Sequence, residues 1–173
     1  AIITRWRMPP ESWCGYSSMR AAAFGMPTRS SISRDRARAA FDWREARNAL
    51  AGLGEGHLNI AHEALTRHVE DGRGGNTALI WLGKQGERQE LSYDDLDRLA
   101  SRFANIFTGN GHQPGERVFS LIGRRPELYG TALGAWKAGL VFCPLFPAFG
   151  PEPLRVRLAM GEASILVTTE SLY

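Results

Sequence analysis

Residues 115–151, GERVFSLIGRRPELYGTALGAWKAGLVFCPLFPAFGP, decide the fold class. An apolar run at Arg117–Ile122 leads into a Pro-Glu helix start and a helix with one apolar side, which Gly139 stops. A second apolar run, Leu140–Phe146, ends in a turn built from Pro, Ala, Phe and Gly. This strand–helix–strand order predicts parallel strands with helices on the sheet faces. Ligands of such sheets sit at the carboxyl ends of the strands. That rule singles out two loops, Gly123-Arg124-Arg125 and Pro147-Ala148-Phe149-Gly150.

The flanking sequence extends the pattern in both directions. Downstream, Pro151 and Glu152 open a helix with Leu154 and Leu158 on its buried side, Gly161 stops it, and Ser164–Thr168 reads as a third parallel strand. Upstream, Ser92 with Asp95 forms a capping-box signature. It opens a helix in which Leu96, Leu99, Ala100, Phe103 and Phe107 recur at helical spacing, until Gly109-Asn110-Gly111 ends it. Before that helix, Thr77–Leu82 and Arg88–Leu91 read as a β-hairpin across Gly83–Glu87. Asn59 caps a predicted helix over Ile60–Val69 whose inner face is Ile60, Ala64, Leu65 and Val69, and 71–76 is a turn or linker. Asp42–Leu50 also has helical spacing. Three parallel strands leave an apolar edge and a half-covered face, so the expectation is an incomplete part of a larger α/β folding unit.

Charge divides the chain. Residues 1–38 hold seven arginines against Glu11 and Asp35, whereas the remaining residues are mildly acidic, although the whole carries a net charge of +3. The expected organisation is a basic leader over 1–40 without fixed structure, followed by a folded part over 41–173. The leader is rich in Arg and Ser and poor in acids, a composition shared with organelle transit peptides, and import is the minor alternative to a cytoplasmic location. A folded part without a basic patch argues against a nucleic-acid partner. No apolar run reaches the roughly 18 residues that span a bilayer, so no membrane partner is expected. Cys14 and Cys143 are far apart and form no disulfide framework, which fits a reducing compartment.

Chemistry-bearing motifs are sparse. No GxxxxGK[ST] phosphate loop and no GxSxG elbow occur. Gly109, Gly111 and Gly115 run from helix to strand, the reverse of a dinucleotide fingerprint. His57, His62 and His68 are five and six residues apart, whereas ligands on one helix face need three or four. They read as solvated histidines. Asp94, Asp95 and Asp97 lie in a first helical turn, where carboxylates favour the macrodipole. No catalytic residue and no metal ligand is assigned.

Four stretches carry a resemblance: LNIAHEALTRHVEDGRGGNTALIWLG (58–83), LSYDDLDRLASRFANIF (91–107), residues 115–158, and SILVTTESLY (164–173). In this colinear order they resemble the AMP-forming acyl-CoA synthetases of the adenylate-forming superfamily, acetyl-CoA synthetases most of all. The resemblance implies a ligase that joins acetate or another short carboxylate to coenzyme A through an acyl-adenylate, using ATP and Mg2+. It implies that 41–173 is the N-terminal part of the large AMP-binding domain. The phosphate-handling loop, the adenine and magnesium region and the mobile C-terminal domain would then lie in the remainder of the synthetase. The only two lysines, Lys84 and Lys137, match no family catalytic lysine, so this portion alone is expected to be inactive and to bind none of these cofactors well. Phe146, Pro147, Ala148, Phe149 and Gly150 match the loop beside the coenzyme A channel, with Pro147 and Ala148 where relatives often carry glycine. Two other readings stand beside the ligase: a non-enzymatic truncated module, and an unrelated flavodoxin-like nucleotide-binding α/β protein.

Overall fold

The computed structural model describes residues 2–5 and 40–172. The chain divides into two units, one made of Ala1–Met8 with Gly52–Tyr173 and the other of Pro9–Ala51. Most of the leader, residues 6–39, lies outside the described residues. In the smaller unit one short helix, α1 (Trp43–Asn48), is described, and the Asp42 carboxylate caps it by accepting from the Arg44 amide at 2.8 Å.

The larger unit is built on a four-stranded sheet of β1 (Ile2–Arg5), β4 (Arg117–Leu121), β5 (Val141–Pro144) and β6 (Ile165–Thr168), in the order β1-β6-β4-β5. A separate hairpin joins β2 (Thr77–Leu82) to β3 (Arg88–Ser92). Both neighbours of β4 run parallel to it, Val118 lying beside Phe142 on one side and Ile165 on the other. The three parallel strands and the hairpin are those the sequence predicts. The strand β1 is not: it pairs antiparallel with β6, within a segment expected to have no fixed structure. Its β-branched Ile2, Ile3 and Thr4 suit an extended backbone, and the expected bare edge of the third parallel strand is covered.

Three longer helices flank the sheet: α2 (Tyr93–Gly109), α3 (Pro126–Lys137) and α4 (Pro151–Met160). Successive residues of β4 point to opposite faces. Val118 and Ile122 pack with Phe103, Phe107, Ala135, Ile165 and Val167 beneath α2 and α3. Phe119 and Leu121 pack with Leu145, Leu158 and Ala163 beneath α4. A third cluster, Ala61, Leu65, Leu96, Ala100 and Leu133, joins the helical stretch 60–73 to α2 and α3.

Helix ends follow from local chemistry. The Ser92 hydroxyl accepts from the Asp95 amide at 3.1 Å, while the Asp95 carboxylate accepts from the Ser92 amide at 3.1 Å, a reciprocal capping box. At the far end of α3, Gly139 adopts φ 73°, its amide donates to the Trp136 carbonyl, and the Leu140 amide donates to the Ala135 carbonyl. These two bonds form a Schellman stop. The same pair of bonds ends α4, but the left-handed residue there is Glu162, φ 46°, one place beyond the glycine expected to stop it. Gly161 has an ordinary φ of −86° and is glycine for another reason: a Cβ would overlap the Phe119 ring.

The Asn59 cap forms as expected, its Oδ1 accepting from the Ala61 amide at 2.8 Å. Beyond it, wide π turns over His62–Thr66 and Val69–Arg73 replace a regular helix and carry it past Val69 into the segment read as a linker. The inner face becomes Ala61 and Leu65, and the expected Ile60 and Ala64 are exposed. His68 is not simply solvated either; its ring lies 4.8 Å from that of Tyr93.

The capping box yields a prediction. The Ser92 hydroxyl, the Ser92 amide and then Arg98 hold the Asp95 carboxyl below its ordinary range. A carboxylate whose pKa is depressed by folding stabilises above its unfolded pKa and loses that contribution as pH falls through the folded value. Ser92→Ala should cost about 1 kcal/mol at pH 7. The gap between wild type and Ser92→Ala in urea midpoints should narrow below about pH 4. A gap that widens on acidification would contradict this.

Candidate functional site

Parallel pairing brings the carboxyl ends of β4, β5 and β6 to one end of the sheet, so the two loops singled out in sequence emerge side by side. Their roots are stitched together. The Leu145 amide donates to the Ser120 carbonyl at 2.8 Å, and the buried Thr168 hydroxyl donates to the Leu121 carbonyl at 3.1 Å. Above these bonds the chain leaves the sheet in fixed directions.

The loop after β5 is a tight turn from Phe146 to Phe149, closed by the Phe149 amide donating to the Phe146 carbonyl at 3.1 Å. Pro147 occupies the first central position, where its fixed φ suits such turns. Ala148 has no positive φ, so neither position needs the freedom of glycine. Phe146 is 60% exposed, and its ring meets Phe149 edge-on at 5.7 Å. The Arg157 guanidinium sits over the Phe149 ring, 4.1 Å from its centre, while its Nη1 donates to the Pro153 carbonyl at 3.0 Å. Gly150 then caps α4 with φ −71°, and a Cβ there would meet no atom within 4 Å. Neither backbone conformation nor packing requires glycine at this position.

The loop after β4 is held differently. The Arg125 amide donates to the Gly123 carbonyl at 2.8 Å, and the Trp81 indole reaches across from the hairpin to donate to the Arg124 carbonyl at 2.6 Å. Arg125 lies 3.6 Å from Glu127, leaving both arginines exposed at the start of α3. Sequence reasoning missed Trp81 and Arg157. Neither carries a local signal, because one acts from 43 residues away and the other from the second turn of a helix.

The remaining candidates serve the scaffold. The Lys137 ammonium donates to Asp97 at 2.7 Å and to Ser101 at 3.1 Å, and the Thr66 hydroxyl donates to the same carboxylate at 3.1 Å. This network fastens α3 to α2 and to the stretch 60–73. Burial pushes the Cys143 thiol up, away from thiolate chemistry. Among the described residues no three His, Cys, Asp or Glu lie close enough together to hold a metal ion. No helix among them is long and apolar enough to cross a membrane.

The sequence profile of the AMP-binding enzyme family matches residues 65–172, which include both loops. The chain belongs to the AMP-binding enzyme family. It is 37% identical over 134 residues to an acetyl-coenzyme A synthetase of Bacillus subtilis (strain 168), covering 76% of this chain and 23% of that protein. An acetyl-coenzyme A synthetase of Mycobacterium bovis is 33% identical over 133 residues, covering 76% of this chain and 20% of that protein. The fold of a Brucella canis acyl-CoA synthetase superposes with a TM-score of 0.72 at 33% identity, over 79% of this chain and 25% of that one. The chain thus spans between a fifth and a quarter of the length of these relatives. Family membership sets aside the flavodoxin-type alternative.

Proposed function

We propose that this chain is the N-terminal portion of an acetate–CoA ligase, in which the turn Phe146–Gly150 lines the channel for coenzyme A. The division into a leader over 1–40 and a synthetase portion over 41–173, and a cytoplasmic location, belong to the same proposal. The acetate assignment rests on likeness to acetyl-coenzyme A synthetases across three quarters of the chain. The channel assignment rests on the turn itself. Its exposed aromatic edge, its adjacent guanidinium and its unoccupied Cα face at Gly150 give a nucleotide-bearing thiol an aromatic surface, a cation and an open approach.

In the intact ligase, ATP supplies the adenylyl group that activates the carboxylate, and coenzyme A supplies the thiol that takes the acyl group. The residues here contribute position to that chemistry. Pro147 and the Phe149 amide fix the turn, Arg157 holds the Phe149 ring, and Gly150 opens α4 directly behind it. The same proposal assigns the adenylation step, with its triphosphate and Mg2+, to the remainder of the synthetase.

Two measurements test the proposal. The chain alone should give ATP–pyrophosphate exchange with acetate at background, and robust exchange would show that it carries an adenylation centre of its own. Residues 65–172 should also replace the matching segment of the Bacillus subtilis synthetase. In that chimera Gly150→Val should raise KM for coenzyme A about tenfold, a loss of roughly 1.4 kcal/mol, and leave KM for acetate and ATP unchanged. Equal rises in all three, or none, would remove the turn from the thiol channel.

A further inference from the structure

The two loops at the carboxyl end of the sheet differ in charge. The turn Phe146–Gly150 carries none, and the nearby Arg157 is already engaged by the Phe149 ring and the Pro153 carbonyl. The loop after β4 carries two exposed guanidiniums, and they are not equivalent. Arg125 lies 3.6 Å from the Glu127 carboxylate. The Arg124 guanidinium meets no carboxylate among the described residues, whereas Arg88 is paired with Glu90 and Arg117 with Glu162. Lys84 and Arg102 also lack a carboxylate there, but one lies in the hairpin turn and the other midway along α2. Arg124 stands where ligands of parallel sheets collect.

Its backbone is held although its head is free. The Trp81 indole donates to the Arg124 carbonyl at 2.6 Å, and the Arg125 amide donates to the Gly123 carbonyl at 2.8 Å. The indole itself lies close to Gly83, where a Cβ would sit 2.9 Å from Cη2 of Trp81. A fixed backbone beneath a free cation has less freedom left to lose on binding, which favours affinity. Topology also brings the loop near the turn. Ser120 pairs with Pro144, and both loops begin within four residues of that rung. Neighbouring strands lie only about 4.8 Å apart.

We infer that Arg124 is a phosphate-binding residue for coenzyme A, an assignment that rests on reading the turn Phe146–Gly150 as the thiol channel. Coenzyme A carries phosphate groups at its nucleotide end, and a guanidinium offers parallel N–H groups that match two phosphate oxygens. Acetate carries no phosphate, and the triphosphate of ATP belongs to the remainder of the synthetase. Trp81 is a positioning residue, which acts by holding the Arg124 backbone and touches no substrate.

The test uses the chimera with the Bacillus subtilis synthetase and compares coenzyme A with pantetheine, which keeps the thiol arm but has no phosphate. Arg124→Gln should raise KM for coenzyme A about tenfold and leave KM for pantetheine, ATP and acetate unchanged. Trp81→Phe keeps an aromatic ring and removes the donor, so it should raise KM for coenzyme A alone, by a smaller factor. Lys84→Gln removes an exposed cation elsewhere and should change none of them. A rise for ATP instead would assign the guanidinium to the triphosphate and overturn the inference. Equal rises for coenzyme A and pantetheine, or a Lys84→Gln effect as large as that of Arg124→Gln, would do the same. Gly150→Val separates this site from the channel, because a turn that lines the thiol arm predicts losses for coenzyme A and pantetheine alike. Such losses beside an unchanged Arg124→Gln would remove the phosphate site and leave the channel standing. No effect of either substitution would remove both.

Should the chimera prove inactive, the intact chain gives a second readout. Millimolar coenzyme A should move the Trp81 indole N–H and Arg124 Nε–H resonances, and added salt should weaken the effect by screening. Pantetheine at the same concentration should leave both in place. Resonances unmoved by coenzyme A, or moved equally by pantetheine, would overturn the inference.

Discussion

Gly134→Ala should destabilise the larger unit by about 3 kcal/mol, the upper range for overpacking, although alanine is the better helix former by about 1 kcal/mol. Gly134 lies inside α3 where that helix crosses α2. A Cβ built there sits 2.6 Å from the Ala100 carbonyl oxygen, 2.6 Å from the Phe103 Cβ and 3.1 Å from the Ala104 amide. Two of these atoms are backbone and the third is fixed to it, so no rotamer change relieves the overlap. The whole of α2 must move outward, and Phe103 and Ala100 leave their clusters with it. Gly130 is the control one turn earlier. A Cβ there meets the Leu99 side chain, at 2.5 Å from Cγ and 2.7 Å from Cδ2. Leu99 is half-buried and can swing away, so Gly130→Ala should cost about 1 kcal/mol or less. Urea midpoints measured at equal m-value separate the two. A Gly134→Ala midpoint within error of wild type would show that the helices can part without loss.

The contrast between these glycines marks the boundary of what the sequence discloses. Gly139 and Gly111 are legible as helix stops, because a left-handed residue after a periodic apolar run is a local requirement. Gly161 reads the same way and misleads: the left-handed residue is Glu162, and the glycine is explained by the Phe119 ring 42 residues away in sequence. The same divide runs through the site. The order strand, helix, strand was enough to bring the 123–125 and 146–150 loops to one end of the sheet, since parallel pairing allows little else. That Trp81 would fasten the first loop and Arg157 the second depends on how the hairpin and α4 pack, for which composition and spacing carry no signal. The pairing of β1 with β6 was illegible for the same reason, as four extended residues have no periodicity long enough to detect. The π turns after Asn59 failed in another way, because a helical pattern was present but its winding was not the regular one.

Phe107→Ala should cost about 3–5 kcal/mol, which is a large share of the roughly 5–15 kcal/mol that holds a typical domain together. Phe107 is 0% exposed, and its ring lies 6.1 Å from that of Phe103. Around it are Val118 from β4 and Ile122 just past its end, Ile165 and Val167 from β6, and Ala135 and Leu140 from α3 and its exit. The cavity left by truncation is bounded by three kinds of element at once, so no single helix can settle into it. Collapse would require α2 to sink toward the sheet, against its close backbone approach to α3 at Gly134. Phe107→Leu keeps most of the volume and should cost under about 1.5 kcal/mol. Both variants should lower the urea midpoint at constant m-value, since the loss lies in the native state. Ile122, which belongs to this cluster, directly precedes Gly123-Arg124-Arg125, so a loosened core reaches the arginine loop through one residue. Trypsin should therefore cut after Arg124 faster in Phe107→Ala than in Phe107→Leu. Cutting at the same rate in both would mean that the loop is held by Trp81 alone and not by the core beneath it.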